Sequence, residues 1–207
     1  LRAQSPTHQH GEHPGRVAIL SPQRRLCLRC IQAAYRLSHA LVQDSFMPSF
    51  TTRAARLDDA EELAAVHTQS WQETYTGLFS ENAWSAESRV RRAAMWNVLL
   101  TDDDTTSVVA EVDGAIIGFA HAEHNRDEPN LPAEELKMIY VLASAHGTGA
   151  GQALIDAALG GAPASVWVLE RNPRARTFYA KNRFMRDGTV REMDFNPNIR
   201  ELRLIRR

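Results

Sequence analysis

Cysteine is scarce in this chain and unevenly placed: both copies, Cys27 and Cys30, fall before residue 47 of 207. Residues 47–207 therefore hold no thiol, which excludes a disulfide there and any cysteine nucleophile. Long apolar runs are missing as well. Nothing approaches the roughly 18 uncharged apolar residues of a spanning helix, so no integral membrane association is expected. Excess charge of one sign is also absent, and a formal net charge of −1 argues against a nucleic-acid partner. The cytoplasm is then the default location. His8, His10 and His13, or Cys27 with Cys30, lack a second ligand pair at zinc spacing, so no metal is expected.

What remains is ordinary globular material, 43% hydrophobic and 24% charged, enough for one domain and a tail. The near-zero total hides an asymmetry. Residues 1–46 carry six arginines against Glu12 and Asp44, a balance of +4, which leaves −5 on the rest. This first segment opens without periodic pattern. It then places Leu26, Cys30, Ala33, Leu37 and Leu41 at helical spacing among arginines. It reads as an N-terminal extension, either poorly ordered or a basic amphipathic helix. Met47 opens the second unit, residues 47–207.

From Phe50 the pattern is orderly. FTTRAAR is a strand candidate, and Asp58 with Glu61 makes a capping-box-like start for a helix with Ala60, Leu63, Ala64, His67 and Trp71 on one face. A second helix is predicted from about Ser85 to Leu100, with Val90, Ala94 and Val98 as its buried stripe. Asp113-Gly114 between two apolar runs signals a tight hairpin. Strand, glycine cluster, helix, strand, helix and two last strands follow. The predicted order is β-α-α-β-β-β-α-β-α-β-β, a mixed α/β sheet with one β-α-β crossover near its middle.

The segment Tyr140–Leu154 carries the strongest chemical signal. A strand runs through Gly147, Gly149 and Gly151 directly into a helix, which lets backbone N–H groups converge at a positively polarised helix start. Such a loop suits a phosphate or pyrophosphate. A Walker A reading fails because no lysine follows the glycines. A Rossmann reading lacks its third glycine, although Glu170 imitates the ribose-binding acid.

With the downstream run Arg171-Asn172-Pro173-Arg174-Ala175-Arg176-Thr177-Phe178-Tyr179 and Phe184, the loop resembles the GNAT acetyltransferase family. That family's acetyl-CoA loop, R/Q-x-x-G-x-G/A, aligns with His146, Gly149 and Gly151. Its later signature, N-x-x-A-x-x-F-Y-x-x-x-G-F, matches Asn172, Ala175, Phe178, Tyr179 and Phe184. His146 stands where Arg or Gln is usual, so a side-chain contact to pyrophosphate is expected to weaken or become pH-dependent. Arg183 stands where glycine precedes Phe184, and Asn182 is expected to take the left-handed turn instead.

The resemblance, over residues 50–207, implies a mostly antiparallel mixed sheet of about six to seven strands flanked by helices, with a central β-α-β acetyl-CoA crossover. It also implies acetyl transfer from acetyl-CoA, as co-substrate, to a primary amine of a small molecule or protein. The alternative is an inactive acyl-CoA-binding sensor or interaction module of the same fold. His146, Gly147, Thr148, Gly149, Ala150, Gly151 and Gln152 would take the phosphates, and backbone groups of Ile139, Tyr140 and Val141 the pantetheine arm. Tyr179 would be the acid facing the departing sulfur, or else a packing tyrosine. Glu135 would be the base, though neighbouring Glu134 competes for that role. Asn172 would touch the cofactor arm or cap a helix ahead of Pro173. Trp71 and Tyr75, with Glu73 and Phe79 nearby, would line the acceptor side. The oligomeric state stays open, with a homodimer as one option.

Overall fold

The computed structural model describes residues 49–125, 130–193 and 196–207. Expectations for residues 1–46, and for a start at Met47, lie outside the described residues. Seven strands form one sheet: β1 (Thr51–Ala54), β2 (Thr105–Val112), β3 (Ala115–His124), β4 (Glu134–Val141), β5 (Ala164–Leu169), β6 (Met185–Met193) and β7 (Asn196–Arg206). Four helices flank it: α1 (Ala60–Tyr75), α2 (Ala86–Leu99), α3 (Ala150–Leu159) and α4 (Pro173–Lys181). The spatial order is β1-β2-β3-β4-β5-β7-β6, antiparallel throughout except for β4 against β5. The element order and the mixed sheet expected from the sequence are both present.

Local chemistry explains the boundaries. Asp113 and Gly114 both take positive φ, 50° and 81°, the geometry of a two-residue turn between β2 and β3. Ser85 caps α2 through the Ser88 amide, and Asn172 caps α4 through the Ala175 amide at 3.0 Å, with Pro173 behind it. The start of α1 differs from expectation. Asp58 is exposed, whereas Asp59 is buried, accepts the Arg56 amide at 2.7 Å and pairs with Arg53 at 2.7 Å. A carboxylate that can hold both the chain turn and an arginine from β1 outcompetes its solvated neighbour.

Packing splits the core between the two faces of the sheet. Helices α3 and α4 cover Ala120, Ala122, Leu136, Val166 and Val168. Helices α1 and α2 cover Val109, Ile116 and Phe119 on the other side. The stripe expected for α2 is overturned. Val90 and Val98 are each 68% exposed and Ala94 is exposed, while Ala93 and the fully buried Trp96 face the sheet. Trp96 with Ala93 and the partly buried Met95 and Leu99 together remove more apolar area from water than two valines and an alanine, so the helix turns toward them.

The turn after α4 is also corrected. Asn182 has φ −91°, and Arg183 takes the left-handed position at φ 65°. Asn182 is otherwise committed: its side chain accepts from Gln152 at 2.9 Å and donates to the Phe178 carbonyl at 3.1 Å. A non-glycine residue in that conformation costs ~1–2 kcal/mol, partly offset by the larger unfolded-state freedom of glycine. Arg183→Gly should therefore raise stability by ~0.5–1 kcal/mol and the melting temperature by about 1–4 °C, read by thermal unfolding.

Candidate functional site

The site begins with a parting of strands. β4 and β5 pair at Glu134↔Ala164, Glu135↔Ser165 and Leu136↔Val166 and then separate, while β5 stays paired to β7 through Leu169↔Glu201. Just past the last pair, β4 carries a bulge. Leu136 pairs with Ala122 and Met138 with His121, so Lys137 is the extra residue. The bulge explains why Leu136 and Ile139 both face α3 and α4, while Met138 and Tyr140 pack with α1 and α2. Glycine at 118 allows β3 to approach here: a Cβ there would sit 2.7 Å from the Tyr140 carbonyl oxygen.

A cavity of about 330 Å3 fills the parting. Its walls include Glu135 through Val141 from β4, Trp167, Val168 and Leu169 from β5, Asn172, Arg174, Phe178 and Tyr179 around α4, and Trp71 and Tyr75 from α1. Of the loop residues singled out from the sequence, His146 and Gly151 also line the cavity, whereas Gly147, Thr148, Gly149, Ala150 and Gln152 do not. Glu135 lines the cavity beside Lys137 at 3.3 Å, whereas Glu134 pairs with exposed His124 at 3.1 Å outside it. Asn172 both caps α4 and reaches the wall. Glu73 instead accepts the Ala143 amide at 2.8 Å, and Phe79 stacks on Trp71 at 5.5 Å.

The glycine loop borders the cavity. Gly147 and Gly149 take φ 81° and 94°, and Gly149 is the cap residue of α3. The first intrahelical bond runs from the Ala153 amide to the Gly149 carbonyl, so by helix geometry the Gly151 and Gln152 amides have no carbonyl one turn back. Ala150 is buried. The Thr148 hydroxyl bonds within the loop, donating to the Ala145 carbonyl at 2.8 Å. The Gln152 side chain points along the helix to Asp156 and Asn182, so only its backbone faces the loop.

His146, expected to make a weakened or pH-dependent contact to pyrophosphate, has both ring nitrogens engaged by protein groups. Its Nε2 lies 2.8 Å from the Val141 carbonyl, and the Arg174 guanidinium donates to its Nδ1. A carbonyl can only accept and a guanidinium can only donate, so the ring is the neutral Nε2–H tautomer. The cation at this end of the cavity is Arg174, within the first turn of α4. The sequence reading quoted Arg174 in a motif but gave it no role; a histidine where Arg or Gln is usual was the available signal.

Tyrosines set the polarity of the interior. Burial pushes the phenols of Tyr179, Tyr140 and Tyr75 above their ordinary range, so all three stay protonated at neutral pH. Tyr75 has the Tyr140 hydroxyl and the Asn172 side chain as partners. Behind Tyr140 lies His67, stacked on its ring at 5.4 Å and only 5% exposed, with no partner for Nδ1 among the described residues.

Comparison with known proteins agrees with the geometry. A family profile described as "Acetyltransferase (GNAT) domain" matches residues 103–186. An uncharacterized N-acetyltransferase, Mb2688 of Mycobacterium bovis, is 33% identical over 140 residues, covering 64% of this chain and 87% of that protein. The uncharacterized N-acetyltransferase YuaI of Bacillus subtilis is 30% identical over 135 residues, covering 59% of this chain and 73% of its own length. Among solved structures, the PaiA N-acetyltransferase of Thermoplasma acidophilum in complex with coenzyme A superposes with a TM-score of 0.59. It is 20% identical and covers 75% of this chain and 98% of that one, a likeness of fold.

Burial holds His67 neutral, with its pKa lowered from 6.5 to about 3 chiefly by desolvation and secondarily by Arg92. His121 is shifted in the same direction. A folded-state pKa below the unfolded value means that the unfolded chain binds more protons as pH falls below 6.5. The stability contributed by neutral His67 is complete above pH 6.5 and is lost from there toward pH 3. Lowering pH from 7.5 to 5 should cost about 2 kcal/mol through His67 alone. His67→Leu should flatten the pH dependence by that amount in urea unfolding titrations.

Proposed function

The chain belongs to the GNAT family of acetyltransferases, and from that membership we propose that it moves the acetyl group of acetyl-CoA to a primary amine by direct attack in a ternary complex. The observation that carries this reading is the cavity opened where β4 leaves β5, with the glycine loop at one end and the buried Tyr179 hydroxyl in its wall. Backbone groups of Ile139, Tyr140 and Val141, released from β5, would bind the pantetheine arm as an added strand does. Loop amides from Gly147 to Gln152 and the Arg174 guanidinium would take the pyrophosphate.

Each residue then has a defined proton task. An alkylamine with a pKa near ~10.4 arrives protonated, and Glu135 accepts that proton, directly or through water. The free nitrogen bonds to the thioester carbon, and a β4 amide stabilises the negative oxygen that forms. When the C–S bond breaks, Tyr179 gives its proton to the thiolate and recovers one from the acetylated ammonium or solvent. The phenol is suited to this because burial keeps it protonated until the thiolate appears beside it. Residues 47–207 contain no cysteine to carry an acyl intermediate.

Two substitutions test the assignment. Tyr179→Phe should lower turnover by roughly tenfold to a hundredfold, with acetyl-CoA affinity and melting temperature nearly unchanged, in a thiol-release assay. Arg174→Gln should weaken acetyl-CoA about tenfold in calorimetric titration, as expected for loss of one charge-assisted contact. The same variant should bind S-acetylpantetheine, which has no pyrophosphate, as the unaltered protein does.

A further inference from the structure

Beyond the end of α1 the sheet face of β5, β7 and β6 carries its own side-chain group at the cavity wall. Trp167 stands on β5 opposite Arg203 of β7, and Glu201 of β7 pairs in register with Arg191 of β6. The Arg191 guanidinium lies over the Trp167 ring, its carbon 4.0 Å from the ring centroid. Its Nε donates to Glu201 Oε2 at 2.7 Å. Arg203, 5.6 Å from the same ring, is committed elsewhere, donating to Asp187 at 2.8 Å and to the Thr189 hydroxyl at 2.9 Å.

Arg191 therefore has its planar face and one edge occupied. Among the described residues, no hydrogen bond is made by its terminal Nη1 and Nη2 groups, which are the fork that matches a carboxylate. The side chain is 50% exposed and lies in the wall of the same cavity as Glu135. Stacking on Trp167 orders the guanidinium in advance, so less freedom is lost when an anion arrives. Glu135 shares this face: it is in register with Ser165, two residues before Trp167 on the same strand. An amine at Glu135 and an anionic group at Arg191 would thus lie within one small molecule's reach.

Hydrogen-bond capacity points the same way. The wall carboxylates Glu135 and Glu201 already have cations, Lys137 at 3.3 Å and Arg191 at 2.7 Å. What is left over locally is donor capacity on Arg191. The −5 balance of residues 47–207 would suit a cationic acceptor, but exposed charges beyond about 8–10 Å are largely screened at physiological salt.

Resting on the acetyl-transfer reading, we propose that the acceptor is an amine that also bears a carboxylate, with Arg191 as its specificity-determining contact. The test compares matched acceptors, β-alanine with propylamine and 4-aminobutyrate with butylamine, by acetyl-CoA-dependent thiol release. The unaltered protein should favour the carboxylate-bearing member of each pair by about tenfold to a hundredfold in kcat/KM, mostly through KM. Arg191→Gln should bring the ratio close to one, Arg191→Lys should leave it intermediate, and Arg191→Glu should reverse it. Each variant serves as its own reference, since partial unfolding lowers both rates and leaves their ratio. Equal or better use of the plain amines, or a ratio unmoved by Arg191→Gln, overturns the proposal while leaving acetyl transfer standing. Failure with all four amines overturns this proposal, and calorimetric titration with acetyl-CoA then decides separately whether the transfer reading stands.

Discussion

The candidate site depends on two parallel strands that stop pairing after three residues. A sheet buried on both faces ordinarily satisfies its backbone groups by continuing its ladders, and breaking one leaves donors and acceptors exposed. Here β5 keeps its antiparallel partner β7 to its end, and β4 keeps β3, so the cost falls only on the two facing edges. Those edges, with the Gly151 and Gln152 amides that have no carbonyl one turn back, leave backbone hydrogen-bonding groups available at the cavity. A ligand that is itself amide-rich at one end and phosphorylated at the other meets both requirements.

Several features far apart in sequence act on that one parting. The bulge at Lys137 inverts the facing of β4, so Glu135 lines the cavity and Tyr140 packs with α1 and α2 while Ile139 and Val141 pack beneath α3 and α4. Absence of a side chain at Gly118 lets β3 support β4 closely at the same point. The stack of His67 on Tyr140, closed by Phe119 at 5.4 Å from His67, backs the cavity with a dry aromatic layer. Burial in this layer keeps Tyr140 protonated and His67 neutral, and burial elsewhere in the core does the same for Tyr179 and Tyr75.

The loop shows how a missing charge is replaced. His146, bridged between the Val141 carbonyl and Arg174, acts as a strut tying the strand to the first turn of α4. The guanidinium it orients lies at the cavity wall, so positive charge is retained although the aligned side chain is neutral. At the opposite end Trp167 and Glu201 orient Arg191 in a comparable way. Both arginines are held by neighbours that leave part of the guanidinium available.

Short-range order was legible in the sequence because its causes are local. The Asp113-Gly114 turn, the caps at Ser85 and Asn172, the glycines ahead of α3 and the order of all eleven principal elements follow from residues within a few positions of one another. The spacing of the glycine loop and of Asn172, Ala175, Phe178 and Tyr179 identified the family for the same reason. Tertiary structure alone decided which face of α2 is buried, since Trp96 counts only once a sheet exists to receive it. It also decided that Asp59 rather than Asp58 holds the start of α1, because the deciding partner, Arg53, comes from another strand. Arg183 took the left-handed turn because Asn182 was claimed by Gln152 and Phe178, contacts from two different helices. The roles suggested for Arg174 and Arg191 belong to this second kind, for each depends on partners that only the folded sheet brings within reach.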